Sequence, residues 1–143
     1  MRSFLVCVAA AAVLLGGCAG PDQAMTEAGA RAARDAASEV GTARVAVQAV
    51  AEGNLWSRAA DRVVSDAETA LGAVATAFGQ QQPSTVRSRQ TYDEITEALD
   101  DAEQAVVSAR IAVRNDDRAA LPKWLAELDR TAERLRSLGE LAR

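Results

Sequence analysis

Few side chains in this chain are able to do chemistry, and the missing ones restrict it as much as those present. There is no histidine among the 143 residues. Without imidazole no Ser-His-Asp relay can form, and the Glu-x-x-His ligand pairs of di-iron helical bundles are missing. No glycine-rich phosphate loop is present either. Carboxylates remain. Asp93, Glu97, Asp100 and Asp101 stand at helical spacing, a ladder of oxygen donors of the kind a hard divalent cation accepts. They fall opposite the apolar positions of the same segment, so the ladder reads as a solvated outer face. Asp116-Asp117 lacks the alternating acids and distal glutamate of an EF-hand loop and reads as helix capping. The chain is therefore expected to use no metal, no other cofactor and no catalytic residue, and to be non-enzymatic.

The cysteines are more informative. Met1 and Arg2 put positive charge at the front, and Phe4 to Leu15 is almost wholly apolar. That run is about a dozen residues, short of the ~20 that a spanning helix needs. A basic start, an apolar middle and small residues at the end are the layout of a secretory signal. The run closes on Leu15-Gly16-Gly17-Cys18, which resembles the lipobox of bacterial lipoprotein signal peptides. The resemblance covers residues 1–18. It implies cleavage between Gly17 and Cys18 and a diacylglyceryl group on the Cys18 sulfur. The protein would then be exported and held to the outer face of the cell membrane, or to the outer membrane in a diderm source. On this reading residues 1–17 are the leader, 18–24 a lipidated tether and 25–143 the folded domain.

Two consequences follow from that division. Cys7 leaves with the leader, so the mature chain has one cysteine and no internal disulfide. The formal net charge of -4 becomes more acidic still once Arg2 is lost, which argues against nucleic acid as a partner.

The elements that position everything else are helical. Alanine is frequent and no stretch alternates like a strand. The clearest segment follows Pro83-Ser84. Its apolar positions Tyr92, Ile95, Leu99, Ala102, Val106, Ala109 and Val113 step by 3 and 4 in turn, a heptad seam. A segment after Asn54 carries Trp56, Ala60, Val63, Ala67, Ala70 and Val74, widened by Val64, Leu71 and Phe78. The first segment, from about Met25 to Ala51, carries Ala33, Ala36, Val40, Ala43, Val47 and Val50. The last carries Leu121, Leu125, Leu128, Ala132, Leu135 and Leu138, and is expected to begin near Arg118 and bend at Pro122. Short polar breaks at Glu52-Gly53-Asn54, Gln80–Ser84 and Asn115–Asp117 separate the segments, with Asn54 placed to cap the second helix. Short connections force antiparallel neighbours, so the sequence predicts an all-α, up-down-up-down four-helix bundle.

An internal repeat refines this expectation. Thr42–Gln48 (TARVAVQ) matches Ser108–Arg114 (SARIAVR) at an offset of 66 residues. Ala32, Asp35, Ala36 and Val40 meet Ala98, Asp101, Ala102 and Val106 at the same offset. The second helix of each half aligns only with a shift or gap. A duplicated helical hairpin explains the pattern, and chance likeness between two alanine-rich helices is the alternative.

Trp56 and Trp124 each follow a hairpin turn, so both belong at one end of the bundle, opposite the end that Cys18 leads into. That distal tip, with Trp56, Arg58, Lys123 and Trp124, is the candidate partner site, since tryptophan is enriched in binding hot spots. The competing expectation is that both tryptophans plug the core. The functional expectation is a membrane-anchored envelope lipoprotein that binds an envelope protein or has a structural role. The alternative is a carrier of a small apolar ligand in a cavity between helices.

Overall fold

The computed structural model describes residues 20–142. The leader, Gly17 and Cys18 lie outside them. The chain forms α1 (Pro21–Ala51), α2 (Ser57–Gly79), α3 (Val86–Arg114) and α4 (Leu121–Gly139). Consecutive helices run antiparallel through short connections, giving an all-α, up-down-up-down four-helix bundle. α1 and α3 touch across the middle and each also packs on both α2 and α4, while α2 and α4 do not meet. The cross-section is a rhombus with α1 and α3 on its short diagonal.

Small side chains make that short diagonal possible. Ala33, Ala36 and Ala43 of α1 and Ala102 and Ala109 of α3 are wholly buried. A β-carbon placed on Gly29 would lie 2.9 Å from Ile95 Cγ1, so α1 meets α3 there with no room for one. Larger residues fill the layers on either side, among them Val47, Leu71, Ile95, Leu99, Val106 and Leu128. The α1, α3 and α4 seams expected from the sequence are this core, with Tyr92 and Leu125 half-buried at its edge. The α2 seam is rotated. Ala60, Val64, Ala67, Leu71 and Phe78 are buried, whereas Val63 is 38% and Trp56 85% exposed. The positions that widened the predicted stripe are its centre, because Val64, Leu71 and Phe78 bury more apolar area than the alanines beside Trp56 and Val63.

Each end is tied by polar contacts. At the far end α1 and α3 finish in the same way. Gly53 (φ 77°) and Asp116 (φ 50°) take the left-handed conformation that glycine and aspartate tolerate. The next residues close the cap, the Asn54 N–H donating to Ala49 (2.8 Å) and the Asp117 N–H to Ala112 (2.9 Å). The Ser57 hydroxyl then donates to Asp116 at 2.8 Å and joins the two turns. At the other end Thr85 caps α3 through a box with Ser88, two N–H to hydroxyl bonds of 2.9 Å. The Thr85 hydroxyl also donates to Asp22 of α1, and Arg34 donates to the Gly139 carbonyl at 2.6 Å.

Three boundaries differ from expectation. α1 begins at Pro21, four residues ahead of Met25, because proline suits a first turn whose N–H groups need no partner. α4 begins at Leu121 and not near Arg118, which puts Pro122 in that same tolerated place and removes the expected bend. The residues before it form a turn held by Asp117 Oδ1, which accepts from the Ala120 N–H at 3.2 Å. Asn54 does not cap α2, since its backbone N–H closes α1 and its side chain donates to Glu52.

The repeated stretches of α1 and α3 occupy equivalent environments. Ala36 and Ala102, Val40 and Val106, and Ala43 and Ala109 are all wholly buried, while Val45 (65%) and Ile111 (51%) both face outward. Arg44 reaches Asp129 on α4, and its counterpart Arg110 reaches Glu68 on α2. Asp129 and Glu68 are thereby counterparts too, and they set the shift that aligns α2 with α4.

Candidate functional site

The four tip residues named from the sequence all lie at the far end, but they do not converge. Trp56 stands at the N-cap of α2, held extended at φ -75°, ψ 139°, and is 85% exposed. It is not a core plug. Arg58, the second residue of α2, is exposed beside Ser57, Asp61, Arg114 and Asp116. Trp124 is half-buried against the core at the start of α4, with Lys123 Nζ 4.5 Å above its ring. Trp124 covers the edge of the core rather than filling it, and Lys123 lies over its outer face. Because α2 and α4 do not meet, the two tryptophans occupy opposite corners of the tip.

Phe78 and Tyr92 serve the other end. Their rings stack at 5.4 Å and 21°, and the Tyr92 hydroxyl donates to the Gly79 carbonyl at 3.2 Å, which latches the α2–α3 connection.

Comparison of the chain with protein-family models, with curated proteins and with solved structures finds no match. The site must therefore be read from its own geometry.

That geometry contains a feature the sequence reading missed. A groove of about 570 Å³ runs between α1 and α2 in the half of the bundle near the start of α1. Ala24, Ala28, Ala32, Ala73, Val74, Ala77 and Phe78 line it, with Glu27, Arg31, Asp35 and Gln81 at its rim. The cause is visible on the opposite seam. At matched spacing from Glu68 and Asp129, α2 carries Ala73 and Ala77 where α4 carries Arg134 and Leu138. Arg134 bridges to Glu97 (3.2 Å) and Asp101 (2.7 Å), and Leu138 is buried. The smaller pair leaves space. Once a gap is allowed in the repeat, this contrast is legible in the sequence.

The acid ladder behaves as a solvated face. Asp93, Asp100 and Asp101 are exposed, and Glu97 and Asp101 are taken up by Arg134. Among the described residues no group of His, Cys, Asp or Glu is placed to hold a metal ion.

The titration of Glu103 is displaced by its surroundings. Burial, then the charges of Asp100 and Glu68, raise its pKa above the usual glutamate value. A raised folded pKa means that the ionised form is penalised above that pKa and the penalty disappears below the unfolded value. Glu103→Gln is expected to stabilise the fold slightly at neutral pH. The gain should shrink as pH falls through the range where Glu103 itself takes up a proton. Urea midpoints of both proteins across that range check this, and a gain independent of pH would refute it.

Proposed function

We propose that this chain is a cell-envelope lipoprotein, a non-enzymatic binding module held to the outer face of a membrane through lipid on Cys18. Its far end is offered to an envelope protein. Leu15-Gly16-Gly17-Cys18 behind an apolar run supports the anchor. No described helix is long and apolar enough to cross a membrane, so on this reading attachment falls to the lipid. One acyl chain holds a protein only marginally, whereas a diacyl group gives stable anchoring.

The observation that carries the binding reading is Trp56. A tryptophan 85% exposed contributes little to the fold that displays it. Large aromatic side chains of this type dominate binding hot spots once a partner desolvates them.

Two experiments test the two halves separately. Cys18→Ala should abolish incorporation of a labelled fatty acid and release the chain from the membrane fraction. Equal labelling of both proteins would overturn the anchor. Trp56→Ser should leave helicity and thermal midpoint nearly unchanged, within the ~0.5 kcal/mol typical of surface substitutions. It should weaken retention of the protein that co-purifies with the wild type in mild detergent by roughly 30-fold, the size of a hot spot. Arg58→Glu is a clean second probe. Lys123→Glu is less clean, since it also removes the ammonium from the Trp124 ring. If retention survives both Trp56→Ser and Arg58→Glu, the tip is not the site.

The groove between α1 and α2 favours a second reading, carriage of a small apolar ligand. Its volume of about 570 Å³ lies within the ~300–1,000 Å³ of small-molecule sites.

A further inference from the structure

The end of the bundle where α1 begins carries features that neither the core nor the far tip explains. Val86, the first residue of α3, is 79% exposed, and Leu141, just past α4, is 54% exposed. Branched aliphatics at such exposure leave apolar area in water without gain to the fold. Arg87 and Leu141 line one shallow depression together with Asp22 and Gln23 of α1, so α3, α4 and the start of α1 share this surface.

Its charge is uneven. From Thr69 to Tyr92 the sequence holds no acid, and its only charges are Arg87 and Arg89. Both are exposed, and neither has an ion-pair partner among the described residues. Asp22, which accepts a hydrogen bond from Thr85, lines the depression with Arg87 and Glu27, and Asp93 lines a second depression with Arg89. The far end mixes its charges, with Glu52, Asp116 and Asp117 in its turns and Arg58, Arg118 and Lys123 beside them.

We infer that this end is a membrane-resting face, with Val86 and Leu141 entering the headgroup layer of an anionic bilayer and Arg87 and Arg89 meeting its phosphates. The inference rests on the proposed anchor. Cys18 lies only three residues before Pro21, a reach of about 10 Å at full extension. A lipid on that cysteine holds this end, and no other, against the bilayer surface. Apolar side chains that enter the interface and cations that meet anionic headgroups are the two contributions that fix a domain's attitude on a membrane. The bundle then stands upright. α3, with 29 residues, is about 44 Å long, which puts both tryptophans beyond the reach of acyl-chain quenchers.

The test uses the native tryptophans as their own control. Mature lipidated protein is reconstituted in vesicles whose acyl chains carry bromine, a short-range quencher of indole emission. Wild-type emission should be unquenched. Val86→Trp and Leu141→Trp should each add a quenched component in anionic vesicles. Both sites are exposed, and circular dichroism of each variant should show the wild-type helix content. Adding Arg87→Gln and Arg89→Gln to Val86→Trp should remove most of that quenching, as should vesicles of neutral lipid or high salt. Two arginines at an anionic surface correspond to roughly a 30-fold change in occupancy of the seated state.

If the protein floats with the vesicles and neither introduced tryptophan is quenched, the resting face is wrong and the anchor stands. If wild-type emission is quenched, the upright attitude is wrong. If the protein does not float at all, the anchor itself fails and the inference goes with it. Association of the anchored protein into dimers with the introduced tryptophans shielded from lipid would overturn the inference in favour of a second copy.

Discussion

Leu99→Asp is expected to abolish the cooperative unfolding transition of the bundle. Leu99 lies midway along α3, 2% exposed, and α3 packs on all three other helices. Its neighbours on the seam are Ile95, Ala102 and Val106, which offer no proton donor. A carboxylate there either ionises without a partner or takes up a proton and remains unsatisfied, and both states cost several kcal/mol. Removal of the leucine adds the transfer and cavity loss, typically ~2–5 kcal/mol for leucine to alanine. A domain of this size has only ~5–15 kcal/mol of stability to lose. Thermal and urea unfolding followed by circular dichroism should show a sloping signal without a transition. Leu99→Ala should keep a transition at a lower midpoint. A cooperative Leu99→Asp protein would mean that α3 can turn this position to solvent, and the heptad seam would be misread.

The seam was legible because α1, α3 and α4 each bury one continuous stripe. Ala33 to Val50, Ile95 to Val113 and Leu128 to Leu138 are buried as their spacing requires. α2 was misphased by one flank. Its sequence offers two overlapping stripes, one through Val63 and Ala70 and one through Val64 and Leu71, and the choice between them depends on how α1 and α3 approach. Periodicity measures one helix at a time and does not contain that approach. Capping failed for a related reason. Asn54 has the chemistry of an N-cap, but Gly53 in the left-handed conformation carries the chain past it, and the backbone of Asn54 is used to finish α1.

The placement of the tip residues was legible, and their exposure was not. Counting turns put Trp56 and Trp124 at the same end, and they are there. Whether a tryptophan at a helix start plugs the core or faces water depends on the helix phase, so the misphased α2 seam also hid the exposure of Trp56. The groove was hidden by the same missing step. Arg44–Asp129 and Arg110–Glu68 align α2 with α4, and only then does Ala77 face comparison with Leu138.

That comparison predicts opposite outcomes for the same substitution at two alanines of one bundle. Ala43→Leu should destabilise. Ala43 is wholly buried in the core cluster, and added methylenes there must push helices apart or force strained rotamers, at a typical cost of ~1–3 kcal/mol. Ala77→Leu should be neutral or slightly stabilising. Ala77 is exposed on the wall of the α1–α2 groove, and leucine is the residue α4 carries at the matched position. Leucine and alanine are both good helix formers, so the backbone gives no reason for loss. Urea midpoints of the two variants check the contrast, and a strong loss at Ala77 would mean that the groove closes in solution. The same variant separates the two functional readings. A carrier must bind a fluorescent fatty acid in the groove and lose it on Ala77→Leu, since the added side chain occupies the ligand's space. A tip-binding module has no use for the groove, and its retention of partner should depend on Trp56 and be unchanged by Ala77→Leu. If the probe binds and Ala77→Leu displaces it while Trp56→Ser changes nothing, the apolar carrier replaces the binding module as the reading of this fold.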